Sequence, residues 1–135
     1  KNILMSESLG RNMIVGLNPA LQRSIAVPKL SVGAVNRASD LNVGIGGKGQ
    51  NCAVASSKME LTQPSFLLQF LGSGSEGDTV LNMLNHISPT LQEYAFRTLA
   101  PCRTCITLVD KATGEATEII EPSGTITETE VEQLL

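Results

Sequence analysis

The sequence predicts an α/β protein in which helices flank a parallel central sheet and a small second sheet forms a lid. Strand-like and helical segments alternate along most of the chain, which is typical of β–α–β units. The runs at 12–17 and 64–72 are short and mostly apolar, as buried parallel strands are. Extended segments at about 24–45 and 91–121 do not fit the alternation, so we expect them to form the lid.

Each remaining element has a local signal in the sequence. The segment 49–61 is rich in small side chains, which would let a helix lie close to a sheet. Apolar residues recur at helical spacing between 76 and 87. The segment 110–115 predicts a hairpin turn between two strands. Thr127 followed by Glu130 is a capping-box pattern, which predicts the start of a helix.

Composition restricts the class of protein. The chain has 135 residues, of which 41% are hydrophobic and 17% charged, a balance that predicts one small folded domain with its own core. The net charge is −3 and the basic residues are scattered, so no basic stripe indicates a nucleic-acid partner. The longest apolar runs are too short to cross a bilayer, so we expect no membrane partner.

The cysteine pattern favours an intracellular, reducing compartment, either the cytoplasm or an organelle, because three cysteines form no paired framework. Cys102 and Cys105 form a C-x-x-C, but they lie in a strand-like run and we expect them to be ordinary strand cysteines. A zinc site would need two further ligands, and only Cys52 and His86 are available, at unsuitable spacing.

The residues at both ends of the sequence predict how much of the folded domain it contains. Residues 1–11 are predicted to be an N-terminal extension, a linker or the remnant of a targeting segment, and the sequence does not distinguish these alternatives. The helix predicted after Thr127 stops after about two turns. We therefore expect a truncated domain that ends inside an element.

The glycine-rich stretch NVGIGGKGQNCAVA, residues 42–55, holds the main candidate for chemistry. It spells the dinucleotide pattern G-x-G-x-x-G, but the next strand ends in Gly72 instead of the required acidic residue. The same pattern recurs at 72–77, which shows how readily it arises. A Walker A loop is excluded because Lys48 is followed by Gly49 instead of Ser or Thr.

The remaining interpretation is a site for an anion or a polyol. Residues 46–49 lead directly into the predicted helix, and backbone N–H groups at a helix N-terminus attract anions and hydroxyl oxygens. Lys48 adds a positive charge, and Asn51 can donate and accept hydrogen bonds. This set suits a polyol that carries a phosphate. A plain strand-to-helix turn with a solvated lysine remains the alternative on spacing alone.

Several segments together resemble the PfkB (ribokinase-like) family of carbohydrate kinases, and most of all its branch of 1-phosphofructokinases and tagatose-6-phosphate kinases. The resemblance extends over residues 12–135, which would be the N-terminal part of such a kinase domain. The matching segments are GLNPALQRSIAVPKL, VGAVNRASDLNVGIGGKGQNCAVA, FLGSGSEGD and CRTCITLVDKATGEATEIIEPSG. The combination of VNRA with GGKGxNxA is much more specific than any glycine pattern.

The resemblance implies a ribokinase-like fold whose β-sheet lid often mediates dimers. It implies an ATP-dependent transferase that moves the γ-phosphoryl group to a hydroxyl of a phosphosugar, with Mg²⁺. Carried over to this sequence, Gly46, Gly47, Lys48 and Asn51 would line the sugar site, and Arg103 would hold the phosphate of the substrate. The family places its catalytic G-A-G-D motif and its ATP and Mg²⁺ sites in the second half of the fold. No catalytic residue is therefore expected in this chain.

Two departures from the branch weaken the expectation of activity. Gln22 stands where the branch has an aspartate that accepts hydrogen bonds from sugar hydroxyls, and Cys105 replaces a common asparagine. We predict that the 135-residue chain alone is inactive and that its partner is the missing C-terminal half or another protein chain. The alternatives are a non-catalytic, kinase-like subunit (a pseudoenzyme) that scaffolds a larger assembly, and a phosphosugar-binding module without turnover.

Overall fold

The computed structural model describes residues 12–59 and 65–134, so the predicted N-terminal extension lies outside the described residues. The described elements, in chain order, are β1 (Met13–Val15), β2 (Ala20–Val27), β3 (Asp40–Gly46), α1 (Lys48–Ser57), β4 (Phe66–Ser73), α2 (Gly74–Ile87), β5 (Gln92–Pro101), β6 (Arg103–Asp110), β7 (Ala116–Ile120) and α3 (Glu128–Glu132). Among these residues, no helix is long and apolar enough to cross a membrane.

The main sheet has the strand order β1-β4-β5, with both pairs parallel. Helices α1 and α2 connect and flank these strands, so the predicted α/β class with a parallel sheet is confirmed. Strand β4 lies in the centre and is buried along most of its length, which explains its nearly continuous apolar sequence. Strand β1 was predicted to be buried, but Met13 and Val15 are exposed, and among the described residues β1 pairs with β4 alone.

The second sheet has the order β3-β2-β6-β7 and is the predicted lid. Strands β2 and β6 run parallel, and the outer strands pair antiparallel with them. The lid range predicted at 91–121 is too wide, because β5 pairs with β4 from Phe66–Gln92 to Gly72–Thr98 in the main sheet. The alternating exposure of β5 is that of a strand at the border of the main sheet. Only β6 and β7 of that range belong to the lid.

One hydrophobic core joins the two sheets. Leu21 of the lid is buried against residues of the main sheet and its helices, and Cys102 is buried where the chain crosses from β5 to β6. The buried core consists of Leu21, Ala53, Leu67, Leu71, Val80, Leu84 and Cys102. The lid is therefore anchored through its base, while its far end projects from the main sheet.

The predicted hairpin connects β6 to β7, and Gly114 takes a positive φ of 76° in its turn. The Asp110 carboxylate accepts hydrogen bonds from the backbone N–H of Leu30, at 3.1 Å, and of Ala112, at 2.8 Å. The bond from Leu30 is the main reason why the pKa of Asp110 lies below its usual range. Asp110 thus ties the hairpin to the loop that follows β2.

The predicted capping box at α3 is also confirmed. Thr127 Oγ1 accepts a hydrogen bond from the Glu130 N–H, and Glu130 accepts one from the Thr127 N–H at 2.7 Å. Glu130 is buried and also accepts from the N–H of Leu99 at 2.6 Å. These bonds, led by the one from Thr127, hold the pKa of Glu130 below its ordinary value. The cap therefore fastens α3 to the end of β5.

The start of α1 lies against the end of β1 with no room for a side chain between them. A Cβ on Gly49 would overlap the Cα of Gly16, and a Cβ on Gly16 would lie 2.7 Å from the Gln50 amide nitrogen and 3.2 Å from the Gly49 Cα. Glycine is required at both positions because the two backbones touch. This contact sets the height of α1 over the main sheet.

We predict that Gly49→Ala destabilises the chain, because α1 must move away from β1 to admit the methyl group. Overpacking typically costs about 1–3 kcal/mol, against about 1 kcal/mol gained in helix propensity. Gly44→Ala is the control, since a Cβ there meets nothing within 4 Å. Urea unfolding that gives the two variants equal stability would contradict the contact.

Candidate functional site

The candidate site lies at the carboxyl edge of the main sheet, where open α/β folds bind their ligands. A cavity of about 210 Å³ opens at this edge, between the main sheet and the base of the lid. Its lining comes from the segment after β1, the last residues of β4 and β5, the start of β6 and the chain before α3, namely Leu17, Asn18, Pro19, Phe70, Gly72, Thr98, Ala100, Pro101, Cys102, Arg103, Ser123, Gly124 and Ile126. Most of these residues are apolar, so the few polar groups define what the cavity can hold.

The glycine turn between β3 and α1 is the second part of the site. Strand β3 ends at Gly46, α1 begins at Lys48, and Gly47 between them has a φ of 107° that favours glycine. Gly47 is the N-cap, and no side chain of the described residues caps this helix. The first N–H groups of α1 are therefore available for hydrogen bonds to a ligand.

The pairing of the lid strands aligns three of the predicted site residues. Ala20 in β2 pairs with Gly46 on one side and with Arg103 on the other. Gln22 is two residues further along β2, in the row of Cys105, and alternate strand residues share a face. Gly46, Gln22 and Arg103 therefore lie in adjoining rows on one face of the lid.

The side chain of Gln22 is half-buried and already has a partner. Its Nε2 donates a hydrogen bond of 2.9 Å to Oγ1 of Thr107, two rows along the same face. This bond leaves the amide oxygen of Gln22 as the group that can meet a ligand hydroxyl. Gln22 can thus accept one hydrogen bond from a ligand, but it offers no negative charge.

Arg103 carries the positive charge of the cavity lining. One Nη donates to the backbone oxygen of Asn18 at the long distance of 3.5 Å, and Nε is buried without a partner among the described residues. Asn18 in turn donates to Oγ of Ser123 at 2.8 Å. The guanidinium therefore has donors without a partner among the described residues, and a guanidinium is a group that pairs well with phosphate.

Lys48 and Asn51 occupy the exposed first turn of α1, next to Gly47. The backbone N–H of Asn51 donates a hydrogen bond of 3.0 Å to the backbone oxygen of Gly47, which holds in place the backbone from which the Asn51 side chain extends. Of the six predicted site residues, all within the described part of the chain, Arg103 lines the cavity, and the other five do not, namely Gln22, Gly46, Gly47, Lys48 and Asn51. The structure thus groups Gly46, Gln22 and Arg103 on the lid, with the other predicted residues beside them on α1.

Sequence reasoning missed a row of polar side chains beneath the glycine turn. Gln50 and Gln69 are fully buried, and Gln50 Nε2 donates to Gln69 Oε1 at 2.8 Å. Gln69 in turn donates to the carboxylate of Glu93 on β5. Burial is the main cause that raises the pKa of Glu93, against the hydrogen bond from Gln69 and the charge of Arg97. None of the three has a sequence signature, because their contacts join separate elements.

The described residues offer no metal centre, since no three His, Cys, Asp or Glu side chains among them are grouped to hold an ion. These residues alone therefore do not fit a Mg²⁺ site, and we assign no metal-binding role to any of them. Cys52, Cys102 and Cys105 are all free thiols.

An open parallel sheet with a strand-built lid at its carboxyl edge defines the class of ribokinase-like α/β proteins. A scan against models of known protein families finds no match. A possible 1-phosphofructokinase from Thermotoga maritima superposes with a TM-score of 0.80 at 28% identity, covering 92% of this chain and 39% of that chain.

Two further solved structures share the fold. Phosphofructokinase-2 from Escherichia coli, in complex with fructose 6-phosphate, has a TM-score of 0.81 at 20% identity, over 93% of this chain and 40% of that chain. Ribokinase from Thermotoga maritima has a TM-score of 0.69 at 24% identity, over 84% and 36%. At these identities the likeness shows the fold alone.

These neighbours are PfkB-family kinases, and the resemblance predicted from the sequence is confirmed as a PfkB-like N-terminal part with the ribokinase-like fold. The chain spans about 40% of the length of the solved structures that it matches.

We predict that Gly47→Ala is more damaging than Gly33→Ala. Both glycines have a positive φ, so alanine adds backbone strain on the order of 1–3 kcal/mol at each position. At Gly33 a Cβ meets nothing within 4 Å, whereas at Gly47 it would overlap Oε1 of Gln50. The additional packing cost at Gly47 is about 1–3 kcal/mol. Urea unfolding measures both variants, and equal losses would contradict the close contact of Gly47 with Gln50.

Proposed function

We propose that this chain supplies the acceptor-binding part of an ATP-dependent sugar-phosphate kinase. The observation that carries the proposal is the lid register, which aligns Gly46, Gln22 and Arg103 on one face beside the glycine turn. In such a reaction the γ-phosphoryl group forms a bond to a sugar hydroxyl oxygen and leaves the β,γ-bridging oxygen of ATP, while the hydroxyl proton would pass to a base outside this chain. ATP and Mg²⁺ would be held by residues outside this chain.

Each residue in the proposed site has a role that follows from its contacts. Arg103, with its unpartnered Nε, would bind the phosphate already present on the sugar. Lys48 and the N–H groups of α1 would add positive potential, and Asn51 would contact a hydroxyl. Gly46 and Gly47 let the sugar approach the backbone, and Gln22 would accept from a hydroxyl through its amide oxygen. None of these groups is proposed to remove the hydroxyl proton.

The choice of a phosphosugar is supported by the solved structures. The E. coli phosphofructokinase-2 structure contains fructose 6-phosphate, and the T. maritima protein is described as a possible 1-phosphofructokinase. The cavity agrees with a ligand of mixed character, because apolar walls surround the guanidinium of Arg103. A sugar has apolar ring faces as well as hydroxyls, and its phosphate would meet the charge.

A second candidate is a non-catalytic, kinase-like subunit that scaffolds a larger assembly. The observation that favours it is the state of Gln22, whose amide nitrogen is engaged by Thr107 and which carries no charge to strengthen a bond to a sugar hydroxyl. A protein that retains the shape but binds its sugar weakly would have this feature.

We predict that fructose 1-phosphate or fructose 6-phosphate binds the chain and that Arg103→Gln weakens binding about tenfold or more, the value of a hydrogen bond to a charged group. Lys58→Gln is the control of equal charge change, because Lys58 is exposed at the opposite end of α1 from the glycine turn. Titration calorimetry measures both. Absence of heat with the wild-type chain at millimolar ligand would contradict the phosphosugar site.

ATP turnover distinguishes the two candidate functions. We expect the 135-residue chain to bind phosphosugar without turnover, and turnover by this chain would overturn that expectation. Phosphosugar-dependent ATP consumption by the full-length protein would support the kinase. Phosphosugar binding by the full-length protein without ATP consumption would favour the scaffold.

We also propose that the lid forms a homodimer through the face opposite the site. Apart from Arg23, alternate residues of β3, β2, β6 and β7 make this face largely apolar, and its outer part is exposed at Leu41, Val43 and Ile119. The apolar residues of this face are Ile25, Leu41, Val43, Ile106, Leu108 and Ile119. An exposed apolar face of this kind favours association with a second copy.

We predict that Ile119→Asp prevents this association, whereas Ile120→Asp does not. The two residues are exposed to a similar extent, at 52% and 55%, but neighbours along a strand point to opposite faces. Size-exclusion chromatography with light scattering measures the mass of each variant at matched concentration. A monomeric wild-type chain, or equal effects of the two substitutions, would exclude the proposed interface.

An intracellular location, in the cytoplasm or an organelle, accompanies the proposed kinase function. The free state of all three cysteines supports a reducing compartment.

A further inference from the structure

The buried row of Gln50, Gln69 and Glu93 crosses the core directly beneath the glycine turn. Both glutamine side chains are 0% exposed, and burying an amide is costly unless its hydrogen bonds are replaced. An ordinary core would place apolar side chains at these positions. The row therefore needs a reason beyond packing, and its hydrogen bonds indicate one.

The two side-chain hydrogen bonds of this row both run from donor to acceptor in the direction of Glu93. A carboxylate only accepts hydrogen bonds, so Gln69 must turn its Nε2 toward Glu93 and its Oε1 toward Gln50. Gln50 must then present Nε2, which donates to Gln69 Oε1 at 2.8 Å and to the backbone oxygen of Gly16 at 2.7 Å. The backbone oxygen of Gly16 and, through Gln69, the acceptor at Glu93 thus act together to decide which atom of Gln50 faces the turn.

The atom that faces the turn is Oε1 of Gln50, and the turn is built around it. Oε1 is buried and receives no hydrogen bond from the described residues. A Cβ on Gly47 would overlap this oxygen, and a Cβ on Gly16 would lie 2.7 Å from Nε2 of the same amide. The Gln50 amide therefore fills the space between the end of β1 and the start of α1, and both backbones pack against it.

We propose that Gln50 is a positioning residue for the glycine turn, and that Gln69 and Glu93, together with the Gly16 oxygen, set the orientation of its amide. Substitution at Glu93, two hydrogen bonds away from the turn, should then change the turn itself. The link to phosphosugar binding rests on the proposed function, in which Gly46, Gly47 and Lys48 contact the sugar. The orientation of the turn does not depend on that function.

The first experiment tests the turn without any ligand. NMR of the 135-residue chain follows the side-chain amide signals of Gln50 and Gln69 and the hydrogen exchange of the backbone amides at 47–51. Glu93→Leu removes the acceptor, whereas Glu93→Gln retains one in its amide oxygen. Gln69→Met breaks the row at similar side-chain volume and serves where Glu93→Leu fails to fold. Glu132→Leu, at an exposed position on α3, is the matched control.

Glu93→Leu and Gln69→Met should shift the Gln50 side-chain signals and speed exchange at 47–51 by about tenfold, the change expected for one buried hydrogen bond. Glu93→Gln and the control should stay within about twofold of the wild-type rate. Urea unfolding shows whether each variant is folded at the temperature of the measurement. Unchanged exchange in both Glu93→Leu and Gln69→Met would overturn the inference, as would a Glu93→Gln variant that behaves like Glu93→Leu.

The second experiment adds fructose 6-phosphate and separates the positioning inference from the proposed function. If the wild-type chain binds, Glu93→Leu should weaken binding about tenfold, in parallel with exchange and without a matching loss of stability. Unchanged affinity despite altered exchange would overturn the link to the sugar site. If the wild-type chain does not bind while exchange responds as expected, the phosphosugar function fails and the role of Gln50 in the turn stands.

Discussion

The contact between the end of β1 and the start of α1 is the constraint on which the rest of the site depends. Gly16 and Gly49 meet with no room for a Cβ, which holds the helix directly over the carboxyl edge of the main sheet. Strand β3 must reach the same point, since it ends at Gly46 only two residues before α1 begins. Main sheet, lid and glycine turn therefore converge where a ligand would bind.

This junction retains polar groups whose burial is costly. Gln50 Oε1 and Arg103 Nε are buried without partners among the described residues, the first in α1 and the second at the start of β6. An unsatisfied buried polar group costs about 1–3 kcal/mol, so proteins rarely keep one without a function. The two groups complement each other chemically, because one accepts a hydrogen bond and the other donates one.

Elements whose structure depends mainly on residues close in sequence were predicted correctly. The apolar run of β4, the helical stripe of α2 and the capping box at Thr127 need only neighbouring residues, and all three are present. The sheet to which β5 belongs was predicted wrongly, because an alternating strand at the border of a main sheet and a lid strand have the same local pattern. The row from Gln50 to Glu93 left no local signal, because it joins α1, β4 and β5.

The sequence by itself determined the α/β class, the lid, the caps and turns, and the chemical types at the candidate site. These depend on side-chain period and backbone freedom within a few residues. Only the tertiary structure decided that Gly46 and Arg103 flank Ala20, that β1 is exposed on one side and that the Gln50 amide supports the glycine turn. Those relations join segments far apart in sequence, and close packing of the whole core selects them.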